Sequence, residues 1–313
     1  MKTILTLIIL TQTLTWQHLA AERTDSSMIK CSLWIDLYHG EVTTYEGLID
    51  DLNQARVVYL GETHRIKRHH QWQVRILESL RERGNDLILG LEQIESKYQN
   101  EVEAYNVGEL SYEAFAKKIN WEKTWKNYED YEDLVTYAQT QEIPIVALNA
   151  DAKIIRKIGR EGLQNLDPLE RDLLPKIINW EKDPIYRQWL NKILMVHMPV
   201  TEEKLMPFFQ AQVSRDEMMS EQLVKFLKLQ AEGTIALVIT GSGHVNYGLG
   251  MVQRVNRRLG SHKKRILLFS ESQELILTDE EKAMSREISM THDDLDFIKS
   301  PIANYLLATE IGK

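Results

Sequence analysis

Apolar residues in this chain come in two rhythms. Five short continuous runs, rich in β-branched residues, lie at 56–60, 87–91, 143–148, 234–240 and 265–269. Continuous runs of that length suit strands buried on both faces. Between them the apolar positions recur every three or four residues. The spacing predicts a helix over 65–83, with Val74, Leu77 and Leu80 on one face and Gly84 to stop it. The stretch 96–139 reads as helical and aromatic, and 151–230 as all-helical. Within the latter, Asp167-Pro168-Leu169-Glu170 is a helix start with its own capping residues, and a long helix is expected over 207–229. A last helix near 252–259 leads into the fifth run. Strands alternating with helices predict an α/β fold: a mainly parallel sheet, helices on both faces, and a large helical insertion at about 152–230 between the third and fourth core strands. Residues 33–38 read as an edge element, and the apolar end of the tail, at 305–307, as packing on the sheet edge.

The first 21 residues follow another grammar: Met1-Lys2, then an uncharged stretch, then small residues at Ala20-Ala21 before Glu22 and Arg23. That order predicts a cleaved export signal, and the apolar run is too short to span a membrane comfortably. The domain is therefore expected to occupy 22–313 as a single α/β unit. With 43% hydrophobic and 27% charged residues it can bury a sizeable core. The formal charge is −8 and no basic stripe is visible, which argues against nucleic acid as a partner. Cys31 is the one cysteine, so no intramolecular disulfide forms and a free thiol is expected.

Chemistry gathers where strands end. The first run leads into Gly61-Glu62-Thr63-His64 and the fourth into Gly241-Ser242-Gly243-His244. In α/β sheets ligands lie beyond the carboxyl ends of the strands. Glu62 with His64, Glu92, Asn149 with Asp151, and His244 would meet there if these strands are neighbours. Carboxylates and imidazoles at that distance can bind a metal or share protons. The bland alternative is that each only caps a helix or satisfies a loop. After His64, Arg68 stands where a zinc-type helix pair needs its second histidine, so of His69 and His70 one is expected to look back at the site and the other to be solvated. His197 sits in the apolar phrase Met195-Val196-His197-Met198, where it can serve the core or face a flat ligand. Trp121, Trp125, Tyr128 and Tyr131 share a helical stripe, which is ordinarily core but can form a platform for a planar cofactor. Tyr247 follows His244 at the same mouth.

The phrases GETHRIKRHHQWQ, LILGLEQ, YEDLVTYA, IPIVALNAD, AQVSRDEMM and GSGHVNYGLGM, in order from about Asp51 to Phe269, resemble the ChaN-like haem-binding uptake family. That family is related to the Tiki/TraB proteins and, more distantly, to erythromycin esterase. The resemblance implies an exported bacterial protein that binds haem through a tyrosine, with haem held face to face between two subunits. Tyr131 matches the tyrosine that opens the family's Y-x-x-[LI]-[LV]-x-x-A helix. Glu62, His64, Glu92 and His244 match polar strand ends shared across the wider superfamily, whose hydrolytic members use such residues to bind metal or activate water. Many members are lipoproteins; Ile29-Lys30 before Cys31 does not make a lipobox, a departure from that pattern that leaves membrane association open.

Two functions follow. One is an exported haem-binding protein of iron or haem acquisition, periplasmic or outer-membrane-associated, with Tyr131 as iron ligand, Trp125, His197 and Tyr247 around the cofactor, and a homodimer sharing it. The other is a hydrolase in which Glu62, His64, Glu92 and His244 hold a divalent metal or activate water.

Overall fold

The computed structural model describes residues 32–197, 201–270 and 292–309. The expected signal segment and Cys31 lie outside the described residues. Two strands, β1 (Ser32–Asp36) and β2 (Glu41–Thr43), precede α1 (Tyr45–Leu52). Then come β3 (Val57–Glu62), α2 (Lys67–Glu82) and β4 (Leu87–Glu95). Helices α3 (Gln99–Asn106), α4 (Tyr112–Lys118), α5 (Trp121–Thr124) and α6 (Glu132–Thr140) lead to β5 (Ile145–Asn149). Helices α7 (Ala152–Glu161), α8 (Pro168–Asp172), α9 (Pro184–His197) and α10 (Glu202–Leu227) separate β5 from β6 (Ile235–Gly241). The chain continues with α11 (Gly250–Leu259), β7 (Lys264–Phe269) and β8 (Tyr305–Thr309).

These strands form one eight-stranded sheet in the order β2-β1-β8-β7-β3-β6-β4-β5. From β8 to β5 all neighbours are parallel, and only β1 runs antiparallel to the strands beside it. Alternate residues of each core strand face opposite layers, as the two-residue side-chain period requires. Val58, Leu60, Leu237 and Ile239 meet Ile76, Leu77 and Leu80 of α2 on one face. Val57, Tyr59, Ala236 and Val238 meet Met219 and Leu223 of α10 and Met251, Val252 and Val255 of α11 on the other. Burying each such aliphatic side chain contributes about 1.5–3 kcal/mol. The later part of α10 therefore lies directly on the sheet, and the sequence between β5 and β6 supplies a core layer as well as outlying helices.

The strand order makes the crevice. β6 lies between β3 and β4. After β3 the chain leaves over the first face through α2, and after β6 it leaves over the second face through α11. Connections that part to opposite faces from adjacent strand ends open a gap there.

Three local expectations need correcting. The tail at 305–307 is no edge decoration: it lies in β8, which is inserted between β1 and β7. Nor is 33–38 the edge, since β2 flanks β1. The aromatic stretch is not one helical stripe either. Trp125 is extended (φ −143°, ψ 98°) between α5 and a 3-10 turn at Tyr128–Tyr131.

Candidate functional site

The ends of β3, β6 and β4 carry two hydrogen-bonded clusters, one on each side of β6. Glu62 follows Leu60 on the α2 side, and its carboxylate is buried. It accepts from Gln93 Nε2 at 3.0 Å, from His64 Nδ1 at 2.7 Å, and from Gln73 and the Tyr131 hydroxyl. His70 Nδ1 stands 3.4 Å from its other oxygen. Burial by itself would raise the Glu62 pKa, but the bonds from His64 and His70 hold it below the ordinary carboxylate range. The same contacts raise both histidines against the opposing effect of burial.

Glu92 lies on the other side of β6. Its Oε2 accepts from Thr240 Oγ1 and from the Gly241 amide, each at 2.6 Å. Its Oε1 faces His244 Nε2 at 3.3 Å, while His244 Nδ1 is 2.6 Å from Asp216 of α10. Tyr186 donates to the second Asp216 oxygen at 2.8 Å. Burial alone would depress His244, yet Glu92 and Asp216 push it up to about 10, so the ring is an imidazolium at neutral pH. Glu92 is correspondingly held low. Gln212 places its amide group 3.0 Å from His244 Nδ1.

His64 joins the two clusters. Its Nδ1 is committed to Glu62, and its ring lies against Gly241, where a Cβ would stand 3.0 Å from Cε1 and Nε2 and 3.6 Å from Glu92 Oε2. Trp125 meets the ring edge-on at 4.7 Å. The His64 backbone carbonyl accepts from His70 Nε2 at 2.9 Å and from Asn127. Its side chain is 36% exposed against 6% for His244, so His64 is the imidazole that meets solvent. The arrangement can pass a proton between Nε2 and a bound molecule, with Glu62 stabilising the charge that develops on the ring. Among the described residues no group of three His, Cys, Asp or Glu side chains is placed to hold a metal ion.

Glu62, His64, Glu92 and His244 are thus brought together. Asn149 and Asp151 serve the surroundings: Asn149 Nδ2 donates to the Glu92 carbonyl at 2.9 Å, and Asp151 caps α7 and pairs with Lys97 at 2.8 Å. Neither His69 nor His70 is solvated. His69 accepts from the Thr63 amide at 3.1 Å and reaches the Ser270 carbonyl at 3.2 Å, which requires a neutral ring. Burial lowers its pKa to about 4, in agreement.

The four residues expected around a cofactor do not form one group. Tyr131 is fully buried, its hydroxyl bound to Glu62 and its pKa pushed well up by burial and by that carboxylate. Trp125 lies beside it, at His64. Tyr247 adopts a left-handed backbone (φ 60°), packs against Trp189 at 6.2 Å, and opens on a separate depression with Tyr38 and Lys264. The His197 side chain lies outside the described residues. The sequence reading passed over Asp216, Gln212 and Gln73. A signal existed: Gln212, Asp216, Met219 and Leu223 follow one another at helical spacing, placing two polar residues in line with a core stripe.

Residues 48–255 match the family described as haem-binding uptake, Tiki superfamily, ChaN. The solved structure titled "Cofacial heme binding to ChaN of Campylobacter jejuni" shares the fold, with a TM-score of 0.64 at 20% identity, covering 90% of this chain and 98% of that one. A curated relative, Protein RETICULATA-RELATED 5, chloroplastic, from Arabidopsis thaliana, is 22% identical over 253 residues, which is 75% of this chain. The chain spans about a third (34%) of the length of that relative. The chain belongs to the ChaN haem-binding uptake family of the Tiki superfamily.

Proposed function

We propose that this chain binds haem outside the cytoplasm in haem or iron uptake. The observation that carries this reading is the family match over 48–255, which takes in β3, β4, β6, α2, α10 and the first part of α11 around the crevice. The signal-like order of residues 1–21 supports export, and among the described residues no helix is long and apolar enough to cross a membrane. Burial of porphyrin faces drives such binding at about 25 cal/mol per Å² of apolar surface. A protein tyrosinate, where one ligates, fixes the iron. Tyr131 is the tyrosine the family pattern offers, and to reach an iron its hydroxyl has to leave Glu62. The family resemblance implies haem held face to face between two subunits, so the complex is expected as a dimer.

Haemin titration followed at the Soret band tests the reading, with sedimentation of the loaded protein. A saturable shift that is altered in Tyr131→Phe, Tyr247→Phe or His197→Ala supports it. Absence of any shift in the wild-type chain ends it.

A second reading, hydrolysis by activated water, is favoured by one observation: the His64 side chain is partly exposed, with Glu62 bound to its Nδ1. It requires no bound metal. Ester hydrolysis that survives chelation and is lost in His64→Ala would establish it. No turnover across acyl esters of different size would remove it.

A further inference from the structure

A polar depression of about 420 Å³ lies on the α11 face of the sheet, where β7 begins. Lys264, His262, Asn256, Asn304, Tyr38 and Tyr247 give it polar walls, and none of its lining side chains is a carboxylate. The chain as a whole carries −8, so this local composition runs against the average. Two neighbouring cations are already matched: Lys263 stands 3.1 Å from Asp51, and Arg265 bonds both oxygens of the same carboxylate. Lys264 is different. It alternates with Arg265 along β7, so it shares the face of Ile266 and α11. Among the described residues it has no carboxylate within ion-pair distance and no hydrogen-bond acceptor. His262 donates from Nδ1 to the Gly260 carbonyl at 2.8 Å, so in the neutral ring Nε2 holds the lone pair. Burial and the Lys264 charge lower its pKa and keep the ring neutral. That Nε2 is buried and has no partner, and a buried polar atom left unpaired calls for a reason. Among the described residues the Tyr38 and Tyr247 hydroxyls and the Asn256 side-chain amide are also unspent. Tyr247 is held at this wall in a left-handed backbone (φ 60°), pinned by its amide to the Ile302 carbonyl at 2.7 Å and by Ser300 Oγ to its own carbonyl at 3.3 Å. Strained non-glycine residues gather at ligand sites.

We infer that this depression is a second binding site, separate from the crevice at the strand ends, for a soluble phosphomonoester on a polyhydroxyl body. Such a ligand answers both unspent groups. An anionic phosphate oxygen accepts from the Lys264 ammonium, and a P–OH or a hydroxyl of the body donates to His262 Nε2. Sulfate matches the lysine but has no proton to give to Nε2. Tyr38, Tyr247 and Asn256 remain for the hydroxyls of the body. The apolar lining is confined to Ile266, Pro301 and Ala303, which is no wall for an acyl chain, so the ligand is not a phospholipid. The inference does not rest on haem binding.

The test is isothermal titration calorimetry of the full chain with β-glycerophosphate, glycerol and sulfate in one buffer. β-Glycerophosphate is expected to bind at least about tenfold more tightly than either of the others, the factor that one charge-assisted hydrogen bond supplies. Lys264→Gln should weaken it by about tenfold or more. Tyr247→Phe, which keeps the ring, should weaken it by a smaller factor and carries the test if Lys264→Gln does not fold, which far-ultraviolet circular dichroism checks. Lys117→Gln, on α4 across the sheet, controls for net charge and should bind as the wild type does. No binding of β-glycerophosphate, equal affinity for sulfate, or an affinity that neither Lys264→Gln nor Tyr247→Phe changes would overturn the assignment. A haemin titration of the same wild-type protein keeps the two readings apart: a Soret shift without β-glycerophosphate binding ends this inference and leaves the haem reading standing.

Discussion

The imidazole of His64 rests against the backbone of Gly241, where any Cβ would stand 3.0 Å from two ring atoms. The glycine is required by that close approach, since the strand is otherwise regular there. Gly241→Ala should tilt the ring away from Glu62, because Trp125 stands at its edge and Glu62 behind it. The cost expected for overpacking is about 1–3 kcal/mol. A nuclear magnetic resonance titration should show the His64 pKa, now raised by Glu62, falling toward its ordinary value. An unchanged titration would mean that the ring and the strand end do not touch.

Glu62→Gln removes the one charge that His64, His70, Tyr131, Gln73 and Gln93 all address. Removing one partner of a buried pair typically costs about 3–5 kcal/mol. Urea denaturation should show a loss of that size, with both histidine titrations lowered. A variant as stable as the wild type would refute the shared-carboxylate arrangement.

Stability should fall on both sides of neutral pH. His244 titrates near 10 in the folded chain against 6.5 ordinarily, so what it gains from Glu92 and Asp216 is complete below about pH 6.5 and disappears as pH rises through about 10. His69 is the reverse: its pKa of about 4 lies below 6.5, so its contribution is complete above 6.5 and lost as pH falls toward 4. Glu62 and Glu92, held low, add to the acid loss as they become protonated. Denaturation midpoints across pH 4–10 should trace a dome. His69→Gln should flatten its acid shoulder, and a flat profile between pH 4 and 6.5 in the wild-type chain would contradict the buried neutral ring.

Arg254 is fully buried and ties α11 to the helices outside the sheet. It bonds Asp183, stands 3.2 Å from Glu217 and lies 4.0 Å from Asp216. Arg254→Met keeps much of the bulk but leaves those carboxylates with reduced counter-charge. A loss of about 3–5 kcal/mol is expected. Because Asp216 also holds His244, the His244 titration should shift as well. A shift in stability with an unmoved His244 would show that the two pairs are independent.

The chain itself announces its elements wherever a local pattern suffices. Continuous apolar runs mark β3 to β7, and Gly-x-x-His marks two strand ends, because burial on both faces and a tight turn each demand particular residues in a row. β8 escaped such reading: Tyr305–Thr309 becomes an inner strand only because β1 and β7 bond to its two edges. His69 and Trp125 escaped likewise, since a solvated and a buried histidine look alike in a helix pattern, and one extended residue interrupts an aromatic stripe without altering its spacing. Which imidazole meets which carboxylate was settled only in three dimensions. The placing of β6 between β3 and β4 sets Glu92 against His244 and brings Gly241 beneath His64. Residues 150 or more positions apart in sequence meet there because whole helices choose their faces of the sheet, and no local spacing encodes that choice.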